Sequence, residues 1–306
     1  MDLSIIIVNW NVKELLRDCL HAILAADVSF ELEIIVVDSA STDGSAAMVE
    51  AEFPQARLIA SSENLGFARG NNLGVSLARG RYFLLLNPDT RLEDEALAAM
   101  LSYMDRHPGV GVVGPQLRYP DNRVQSSRRR FPTPGSLFWE STLLGQWFPH
   151  NRHIRAYHLA DQADDIPQAV DWITGAALFI RAAAWQQVGP IDEALFMYFE
   201  ETDWCRRCAR AGWAIHYLPA ARVIHYEGKS SEQVPAARAI RFQRSKVYYT
   251  RKWFGWRWAL ALRLFLLLTF AWQLAEETGK WLVGHKRPLR RQRMDAYWQV
   301  LRSRLA

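Results

Sequence analysis

The feature that most constrains the fold is an alternation of short apolar runs with segments of helical periodicity. Residues 3–8 and 32–37 are runs of apolar, largely β-branched residues, each with one polar residue at its second position, and residues 12–26 between them repeat apolar side chains at helical spacing. Strands that are apolar on both faces are typical of parallel sheets, whose faces are covered by helices. The sequence therefore predicts an α/β fold built on a parallel, helix-covered sheet.

The same alternation continues along most of the first 235 residues. Residues 119–166 interrupt it with an irregular stretch rich in arginine, proline, histidine and aromatic residues, and a loop of this length is usually functional or mobile. From residue 236 the chain is predicted to be helical to its end. Further strands are predicted at 57–60, 82–86, 110–114, 169–180, 214–218 and 222–224, and further helices at 45–53, 67–78, 93–107 and 202–211.

Charge divides the chain into an acidic body and a basic tail. From residue 236 onward, 16 lysines and arginines accompany three acidic residues, a net charge of +13. The first 235 residues carry 21 basic and 29 acidic residues, a net charge of −8. Because six of the 13 tryptophans also fall in the tail, we predict two domains, 1–235 and 236–306.

The three cysteines are too few for a disulfide framework, which favours a reducing compartment. Cys205 and Cys208 form a C-x-x-C pair, but no second pair follows, and the pair falls within a predicted helix. Buried helical thiols are therefore favoured over metal or redox use. The N-terminus opens directly into an apolar strand, so no signal peptide is expected.

Polar side chains follow the predicted strands at the place where open α/β sheets bind ligands, beyond the carboxyl ends of the strands. Asn9 and Asn11 follow the first strand, and Asp38 and Ser41 follow the second. A carboxylate at Asp38 can accept a hydrogen bond from a pyrimidine base or from a ribose hydroxyl. The alternative is a helix cap or an Asx turn, a role for which Thr42 or Asp43 is better placed.

Asp89 lies beyond the predicted strand 82–86, in the triplet Asn87-Pro88-Asp89. It could simply begin the next helix, or it could bind Mg²⁺ or Mn²⁺ together with a substrate diphosphate, since such ions use few protein carboxylates at phosphate sites. The chain lacks G-x-x-x-x-G-K-[ST], which argues against a P-loop, and the glycines at 66, 70 and 74 do not have the G-x-G-x-x-G spacing of a dinucleotide site.

The segment FMYFEETDWCRR, residues 196–207, places three carboxylates within four positions, directly after an aromatic-rich stretch. Glu200, Glu201 and Asp203 could be acids in the first turn of a helix, where the helix dipole favours them. That explanation suits one of the three better than all of them together. A general base for proton transfer is the functional alternative.

Seven segments in order now carry a resemblance to a known family. They are SIIIVNWN, VVDSASTDGS, ENLGFARGNNLG, LLLNPDT, DWITGAALFIRA, FMYFEETDWCRR and VIHYEGKSS. This chain resembles the family-2 inverting glycosyltransferases, and among them the rhamnosyltransferase-like branch that works on bacterial cell-surface polysaccharides. Each motif alone is weak, whereas seven in the same order, over about the first three quarters of the chain, are specific.

The resemblance implies a fold and a set of donor contacts. The implied fold is the nucleotide-diphospho-sugar transferase (GT-A) type, a Rossmann-like α/β domain with a mainly parallel mixed sheet, followed here by a C-terminal helical segment. Asp38 would contact the nucleotide base, and Arg69 would lie near the phosphates. The residues expected around the donor are Asn9, Asn11, Asp38, Ser41, Asn64, Gly66, Arg69, Asn72 and Asn87.

The resemblance also implies a metal site for Mg²⁺ or Mn²⁺. Asp89 matches the metal-binding aspartate of the family's D-x-D position, with Asn87 in place of the first carboxylate. His225 falls where related enzymes place a further metal or diphosphate contact, and a core histidine is its alternative role.

The catalytic base is implied by the match of EETD to the family's E-D-x-D, whose second acid takes a proton from the acceptor hydroxyl. Glu201 stands where aspartate is usual, so the choice between Glu200 and Glu201 stays open. Asp203 and the other glutamate could tune the base, bind an acceptor hydroxyl or cap the helix. Mutual repulsion between such carboxylates would raise their pKa values.

The implied substrates are a dTDP- or UDP-sugar donor and a lipid-linked saccharide acceptor. Asp171, Trp172 and Gly175 would lie on the acceptor side, although Trp172 could equally be a core residue. No nucleic acid is expected as a partner.

The tail suggests a membrane surface as a further partner. Residues 259–275 are apolar apart from Arg263, Thr269 and Gln273. This run of 17 residues is at the lower limit of length for a helix that crosses a membrane. Tryptophans and cationic flanks fit a helix lying on the membrane better, and a helix packed on the catalytic domain is the alternative. The expected location is the cytoplasmic face of the cell membrane.

Three other classes of protein compete with this interpretation. A nucleotidyltransferase of the same fold usually has a Gly- and Arg-rich loop after its first strand, where this chain has Asn9-Trp10-Asn11. A nucleic-acid-binding protein could use the tail and Arg128-Arg129-Arg130, but it has no use for carboxylates at the strand ends. A non-catalytic, lectin-like protein would not need both Asp89 and Glu201.

Overall fold

The computed structural model describes residues 1–227, 235–284 and 286–305. Part of the last resemblance segment, residues 228–231, lies outside the described residues. The described residues divide into two compact units. The first comprises residues 1–131, 161–196 and 200–227, and the second comprises residues 132–160, 197–199, 235–284 and 286–305. The sequence-based domain boundary near residue 235 stays a prediction.

Twelve strands are present in the described part of the chain, and all belong to the first unit. Ten form one sheet, in which the main path runs β3-β2-β1-β4-β11-β6-β12-β5, and β10 pairs with β8 in a separate sheet. The strands are β1 (Leu3–Asn9), β2 (Leu32–Ser39), β3 (Ala56–Ser61), β4 (Tyr82–Leu86), β5 (Thr90–Leu92), β6 (Val110–Arg118), β7 (Val124–Gln125), β8 (Arg128–Arg129), β9 (Gln168–Ala169), β10 (Trp172–Ile173), β11 (Ala177–Arg181) and β12 (Ala214–His225).

The helices follow the strands in the order that the sequence predicts for the first unit, and they continue through the second. They are α1 (Lys13–Ala25), α2 (Ser45–Glu52), α3 (Gly66–Ser76), α4 (Ala96–Arg106), α5 (Pro134–Trp139), α6 (Leu143–Trp147), α7 (Arg152–Tyr157), α8 (Ala182–Val188), α9 (Glu200–Arg210), α10 (Pro235–Phe254), α11 (Trp256–Leu282) and α12 (Arg287–Arg302).

The central strands are buried on both faces, which explains their unbroken apolar sequences. β1 pairs in parallel with β2 and β4, so that Leu3 lies opposite both Leu32 and Tyr82. One face of these strands packs with apolar residues of α1, α2 and α4. The other face, which includes Ile35, packs with Leu65 at the start of α3. The carboxyl ends of β1, β2 and β4 therefore meet at one edge of the sheet.

The sheet is mixed, since β11 runs antiparallel to both β4 and β6, and β5 runs antiparallel to β12. The α/β class with a mainly parallel mixed sheet is confirmed. The single strand predicted over 169–180 is wrong, because the chain forms β9, β10 and β11 there. Thr174 N–H donates to the carbonyl of Ser127, so the chain leaves the β10–β8 sheet before β11 joins the main sheet.

The two strands predicted at 214–218 and 222–224 are one strand, β12. Its register against β6 shifts between Leu218 and Arg222. Pro219 lies in this interval and has no N–H to donate, which accounts for the irregularity. Residues 109–114 read G-V-G-V-V-G, the spacing of a dinucleotide site, but they run into strand β6 instead of joining a strand to a helix.

The segment predicted to be irregular, 119–166, contains short elements. Thr133 caps α5 through a reciprocal pair of hydrogen bonds with Ser136, and the Asn151 side chain accepts from the first turn of α7. These caps stabilise helices too short to show periodicity in the sequence.

The second unit is helical, as predicted for the C-terminal segment. Residues 197–199 pack on α10 within it: the Ser245 hydroxyl donates to the Met197 carbonyl at 2.8 Å, and the Phe199 ring centre lies 5.3 Å from that of Tyr249. Among the described residues, α11 is the one helix long and apolar enough to cross a membrane, judged by length and composition.

Candidate active site

The ends of β1 and β2 form a polar cluster from three of the predicted donor residues. Asn9 pairs with Asp38 in the parallel register. The Asn9 amide donates to Asp38 Oδ2 at 2.9 Å and to Ser41 Oγ at 3.1 Å, and the Ser41 N–H donates to Asp38 Oδ1 at 2.9 Å. Asn9 and Asp38 are almost fully buried, and Oδ1 of Asn9 has no hydrogen-bond partner among the described residues. This oxygen is an acceptor left over for a ligand.

Asn11 belongs to the same cluster. Its N–H donates to Ser41 Oγ at 3.0 Å, and its side-chain oxygen accepts from the Thr42 N–H at 2.7 Å. Asn11 and Ala40 both have positive φ, 53° and 59°. Left-handed backbone at non-glycine residues is uncommon and concentrates at functional sites, so the tips of both strand-end loops are held in unusual conformations.

The segment from Asn64 to Asn72 starts α3. The Asn64 side chain accepts from the Gly66 N–H at 3.0 Å, and Arg69 pairs with Glu63 at 2.7 Å on the surface. Asn72 uses its amide differently from the predicted donor contact. It donates to the Ile191 carbonyl at 2.9 Å and accepts from the Ile191 N–H at 2.9 Å, which fixes the loop before α9.

Asp89 and His225 come together because β5 pairs with the end of β12, placing His225 opposite Thr90. Nε2 of His225 lies 3.4 Å from Oδ1 of Asp89, both side chains are largely buried, and Nε2 has no hydrogen-bond partner among the described residues. Nδ1 of His225 lies 2.8 Å from Oε1 of Gln125, and Gln125 in turn donates to Glu227 at 2.8 Å. A proton on Nδ1 leaves the Nε2 lone pair facing Asp89.

These two side chains fit a divalent ion that takes most of its ligands from elsewhere. In the part of the chain that the structure describes, no group of three or more His, Cys, Asp and Glu could hold a metal alone. A carboxylate, with phosphate oxygens and water completing the shell, suits Mg²⁺ or Mn²⁺ at a nucleotide site, and an oriented imidazole as a further ligand suits a transition-metal ion such as Mn²⁺. The N–H of Asn87 donates to the Ala176 carbonyl at 2.9 Å, which fixes the loop that carries Asp89. Sequence reasoning missed Gln125, whose contribution depends on the pairing of β7 with β6.

Glu200 and Glu201 open α9 with carboxylates that lack full partners. Glu200 is buried, Glu201 is partly exposed, and Oε2 of each has no hydrogen-bond partner among the described residues. Burial raises the pKa of Glu200 well above 4.5, and repulsion from Glu201 raises it further. Burial also raises the pKa of Glu201, while backbone N–H groups, including that of Gly175 at 3.4 Å, and the charge of Arg129 oppose this rise.

Gly175 leaves room for this arrangement. A Cβ at position 175 would lie 3.2 Å from the Phe67 ring and 3.7 Å from Oε1 of Glu201. The residues just before α9, Tyr198 and Phe199, have φ of 72° and 67°. Bulky side chains rarely adopt left-handed backbone, so the chain entering the glutamate pair is strained.

Asp203 differs from its two acidic neighbours, because it is fully buried and bound to Arg207. The Arg207 Nε–H donates to Asp203 Oδ2 at 3.0 Å, and the same guanidinium donates to the carbonyls of Val188 at 2.9 Å and Pro190 at 2.8 Å. This network ties α9 to the loop before it. The structure therefore gives Asp203 partners within the protein, and the two glutamates are the carboxylates with open oxygens.

Asp171 and Trp172 lie on the strand segment next to Gly175. Asp171 Oδ2 accepts from the Phe131 N–H at 2.7 Å, and the Trp172 indole N–H donates to the Arg130 carbonyl at 2.9 Å. Trp172 is 7% exposed, so its ring is mostly covered by protein. The two side chains hold the neighbouring strand β8 and the residues after it.

The cysteines match the prediction of buried helical thiols. Cys19, Cys205 and Cys208 are free and buried. Burial raises the pKa of Cys208 to about 12 and that of Cys205 well above its ordinary value, which keeps both thiols protonated and unreactive.

Comparisons with known proteins agree with this geometry. Residues 4–185 match the family described as Glycosyl transferase family 2. The chain is 28% identical over 260 residues to an N-acetylglucosaminyl-diphospho-decaprenol L-rhamnosyltransferase of Mycobacterium tuberculosis, which covers 78% of this chain and 83% of that protein. It is also 28% identical over 169 residues to rhamnosyltransferase WbbL of Escherichia coli, covering 53% of this chain and 61% of that protein.

A solved structure shares the fold. The mannosyltransferase PcManGT from Pyrobaculum calidifontis, in complex with GDP-Man and Mn²⁺, aligns with a TM-score of 0.57 at 16% identity, covering 99% of this chain and 84% of that chain. At this identity the likeness concerns the fold alone, and it confirms the predicted GT-A type.

Proposed function

This chain belongs to glycosyltransferase family 2, and we propose that it moves a sugar from a nucleotide diphosphate to a hydroxyl of a lipid-linked saccharide, with inversion at the anomeric carbon. The transferred sugar is rhamnose or another hexose, and the product is an extended lipid-linked saccharide that serves cell-surface polysaccharide synthesis. The observation that carries the proposal is the pair of glutamates opening α9, each with a buried carboxylate oxygen that no described residue binds.

A direct inverting transfer needs one base on the side of the acceptor. The attacking hydroxyl must lose its proton as it bonds to the anomeric carbon, and a carboxylate within hydrogen-bond reach can accept that proton. Glu201 suits this task because it is partly exposed and its Oε1 is oriented by the Gly175 N–H. Burial raises the pKa of both glutamates, and repulsion from Glu201 raises that of Glu200 further, which brings these carboxylates closer to the working range of a base at neutral pH.

The departing diphosphate gains negative charge as the bond to the sugar breaks. A bound Mg²⁺ or Mn²⁺ would supply Lewis-acid stabilisation of that charge. Asp89 and His225 are the residues of this chain that would hold the ion, with Gln125 fixing the orientation of the imidazole. Asn87 and Arg69 lie on the loops expected around the same diphosphate.

The cluster at the ends of β1 and β2 would bind the nucleoside. Both oxygens of the Asp38 carboxylate already accept from protein donors, so its main task here is to fix Asn9 and Ser41. The unpartnered Oδ1 of Asn9 is the acceptor in this cluster that a base N–H or a ribose hydroxyl would satisfy. A dTDP- or UDP-linked sugar has a base of the required kind.

The acceptor assignment rests on a relative. The Mycobacterium tuberculosis protein that is 28% identical is named for an N-acetylglucosaminyl-diphospho-decaprenol acceptor and for L-rhamnose. A lipid-linked acceptor of the same chemical type would be reached at the cytoplasmic face of the cell membrane.

The tail supports docking on that membrane surface. Along α11, Trp256, Leu260, Leu264, Leu268 and Trp272 recur at every fourth position and are all exposed, with exposed fractions of 45% to 70%. Residues spaced by four lie on one face of a helix, so these five form an apolar stripe about 24 Å long. Tryptophans at both ends suit a helix lying in the interface.

The second helix of the tail favours docking over crossing. Arg290 on α12 binds Glu277 on α11 at 2.7 Å, so the two helices are joined by a buried ion pair. A spanning α11 would separate that pair or carry a strongly basic helix into the lipid, which is costly. The basic residues in the first half of α12 are Arg287, Arg290, Arg291 and Arg293.

Donor binding is the experiment that tests the proposal. Purified protein is titrated by calorimetry with dTDP-rhamnose, UDP-sugars and GDP-mannose, in Mn²⁺ and in chelator. We expect one nucleotide sugar to bind in a metal-dependent way, and its transfer to give a product of inverted anomeric configuration by NMR. Well-folded protein that binds none of these donors would contradict the proposal and favour a non-catalytic saccharide-binding protein.

A further inference from the structure

Three arginine side chains gather around β8 and α9, the helix that the glutamate pair opens, and none of them is among the expected donor contacts. Arg129 lies on β8, with its guanidinium 5.9 Å from the centre of the Trp172 ring. Its positive charge acts on Glu201, where it offsets part of the effect of burial. Trp172 lies opposite Arg129 where β10 pairs with β8. Three residues farther along the chain, the Gly175 N–H donates to Glu201 Oε1 at 3.4 Å, so Arg129 lies on the strand that neighbours the segment leading to the assigned base.

The other two arginines extend this positive patch. Arg130 is 52% exposed by its side chain and lies 3.6 Å from Asp171 Oδ1. Arg206 projects from α9, on which the glutamate pair also lies, and its guanidinium is 5.5 Å from the centre of the Phe131 ring. Arg129, Arg130 and Arg206, which we call the arginine patch, thus come from the end of β8, the residue after it, and α9, the helix that begins with the glutamate pair.

The backbone under the patch is fixed residue by residue. The Asp171 N–H donates to the Arg129 carbonyl at 3.1 Å, the Trp172 indole N–H donates to the Arg130 carbonyl at 2.9 Å, and the Phe131 N–H donates to Asp171 Oδ2 at 2.7 Å. A pre-organised positive group binds an anion with less loss of conformational freedom than one on a mobile loop.

The neighbouring residue on the same strand, Arg128, is buried and bound to other residues of the protein. It is 4% exposed, pairs with Asp164, and donates to the Gln162 carbonyl at 2.7 Å. Successive residues of a strand point to opposite faces, so Arg128 and Arg129 point to opposite sides of β8. Nη1 of Arg129 donates to the Ser126 carbonyl and hydroxyl, each at 2.8 Å, and to the Arg128 carbonyl at 3.0 Å, which holds the guanidinium in place.

We propose that the arginine patch binds the diphosphate of the acceptor, so that the enzyme selects a saccharide joined directly to a lipid diphosphate. This inference rests on the proposed function. In such an acceptor the diphosphate is attached to the anomeric carbon of the sugar whose hydroxyl reacts, so its charges lie within one sugar ring of the base. Guanidinium groups match phosphate oxygens in geometry and charge.

Electrostatics and stereochemistry both assign the patch to the acceptor. Two glutamates would repel an anionic acceptor, and nearby cations offset that repulsion. Inversion places the base on the face of the sugar opposite the leaving diphosphate, so cations beside the base face the acceptor rather than the donor. The donor diphosphate has its own candidates in Asp89, His225 and Arg69.

The test compares two acceptors that differ in the charge at the anomeric position. The probes are farnesyl-diphospho-N-acetylglucosamine and the neutral octyl glycoside of N-acetylglucosamine, with the donor identified by titration. The variants are Arg129→Gln, Arg130→Gln and Arg206→Gln. Arg57→Gln is the matched control, since Arg57 is an exposed arginine on β3 at the far edge of the sheet.

We expect each patch variant to lower kcat/KM for the diphosphate acceptor by about 10-fold or more, the value of a lost hydrogen bond to a charged group. At a pH above the acid limb of the rate profile, the kcat/KM for the neutral glycoside, the KM for the donor and all values for Arg57→Gln should stay within about twofold of wild type. Equal losses with both acceptors, or a raised KM for the donor, would overturn the assignment to the acceptor.

Direct binding separates this inference from the proposed function. Binding of the farnesyl-diphospho probe is measured by calorimetry without donor. Wild-type protein that binds the probe through the patch but transfers no sugar would contradict the proposed function and leave the inference standing. Binding of the probe that is absent in wild type, or unchanged in all three variants, would overturn the inference.

Discussion

The Nε2 atom of His225 lies 3.4 Å from the Oδ1 atom of Asp89, although β12 and β5 are far apart in sequence. The imidazole is held from its other side by Gln125, and neither side chain has much access to solvent. Two largely buried ligand atoms at this distance favour a cation between them. The pairing of β5 with β12 thus brings together the two side chains that we expect to hold the metal ion.

Asp89→Asn should weaken donor binding and remove most of its dependence on Mn²⁺, because the change removes the charged ligand. Gln125→Leu should weaken metal-dependent binding by about 10- to 100-fold without touching a ligand, since it frees the imidazole to rotate. Both are measured by calorimetry with Mn²⁺ and with chelator. His216→Gln is the control, because His216 lies on the same strand but binds Tyr103. Metal dependence that survives in Asp89→Asn would remove Asp89 from the site.

Glu201→Gln should lower kcat by about 10²- to 10⁴-fold and leave the donor Kd nearly unchanged, because an amide cannot accept the acceptor proton. Glu200→Gln should have a smaller effect, since the Glu200 side chain is buried whereas residue Glu201 is partly exposed. Single-turnover rates and donor titrations of both variants show which glutamate acts as the base. If Glu200→Gln lowers kcat more than Glu201→Gln does, Glu200 is the base and Glu201 is the neighbouring carboxylate.

The rate should depend on pH in the direction set by the glutamate pair. Burial raises the pKa of Glu201 from its usual value of 4.5, and the base works only when deprotonated. The rate is therefore expected to fall as pH falls through this raised pKa, at a pH above that expected for a solvated carboxylate. Log kcat/KM is measured against pH in wild type and in Arg129→Gln. Loss of the arginine charge should move the acid limb to higher pH, and a limb that does not move would show that Arg129 has no influence on the base.

The stability of the folded protein should also depend on pH through Glu200, and it should fall as pH rises. The folded-state pKa of Glu200 lies above the unfolded value, so the folded protein binds the proton more tightly. The stabilising contribution is complete below the unfolded pKa and is lost as pH rises through the folded one. Wild-type Tm should decline over that window, and Glu200→Gln should flatten the decline. Parallel Tm curves for the two proteins would contradict the shift.

Gly66→Ala should destabilise the protein by about 2–4 kcal/mol, because two mechanisms act together. Gly66 has φ of +69°, and a Cβ there would lie 2.6 Å from the Phe196 carbonyl oxygen. Gly109→Ala is the matched control, since a Cβ added at Gly109 would meet no atom within 4 Å and its φ is not positive. Chemical denaturation measures both, and the control should change stability by less than about 0.5 kcal/mol. Equal stability of the two variants would contradict the close approach of residue 66 to the Phe196 carbonyl oxygen.

The double variant Leu264→Gln and Leu268→Gln should lose binding to vesicles that contain anionic lipid, because both leucines lie on the exposed stripe of α11. Leu24→Gln changes an exposed leucine on α1 and serves as the control. Co-sedimentation with vesicles of mixed neutral and anionic lipid is the measurement, at low and high salt. Undiminished sedimentation of the double variant would exclude the stripe as the docking surface.

Local sequence was sufficient for the order and class of most elements. The apolar runs at 3–8 and 82–86 became buried strands that pair in parallel, and burial of both faces accounts for their apolar sequences. The polar residues after them reached one edge because parallel strands share their direction. Errors arose where pairing, not periodicity, sets the structure: residues 169–180 became three strands, and 214–225 became one.

The sequence by itself determined the α/β class, the family and the identity of the residues that can carry charge or accept a proton. Only the tertiary structure decided their separate positions, because those depend on contacts between distant segments. It bound Asp203 to Arg207, oriented His225 through Gln125, and left oxygens of Glu200 and Glu201 open. Burial and nearby charge set the proton affinity of a carboxylate, and both are properties of the folded chain.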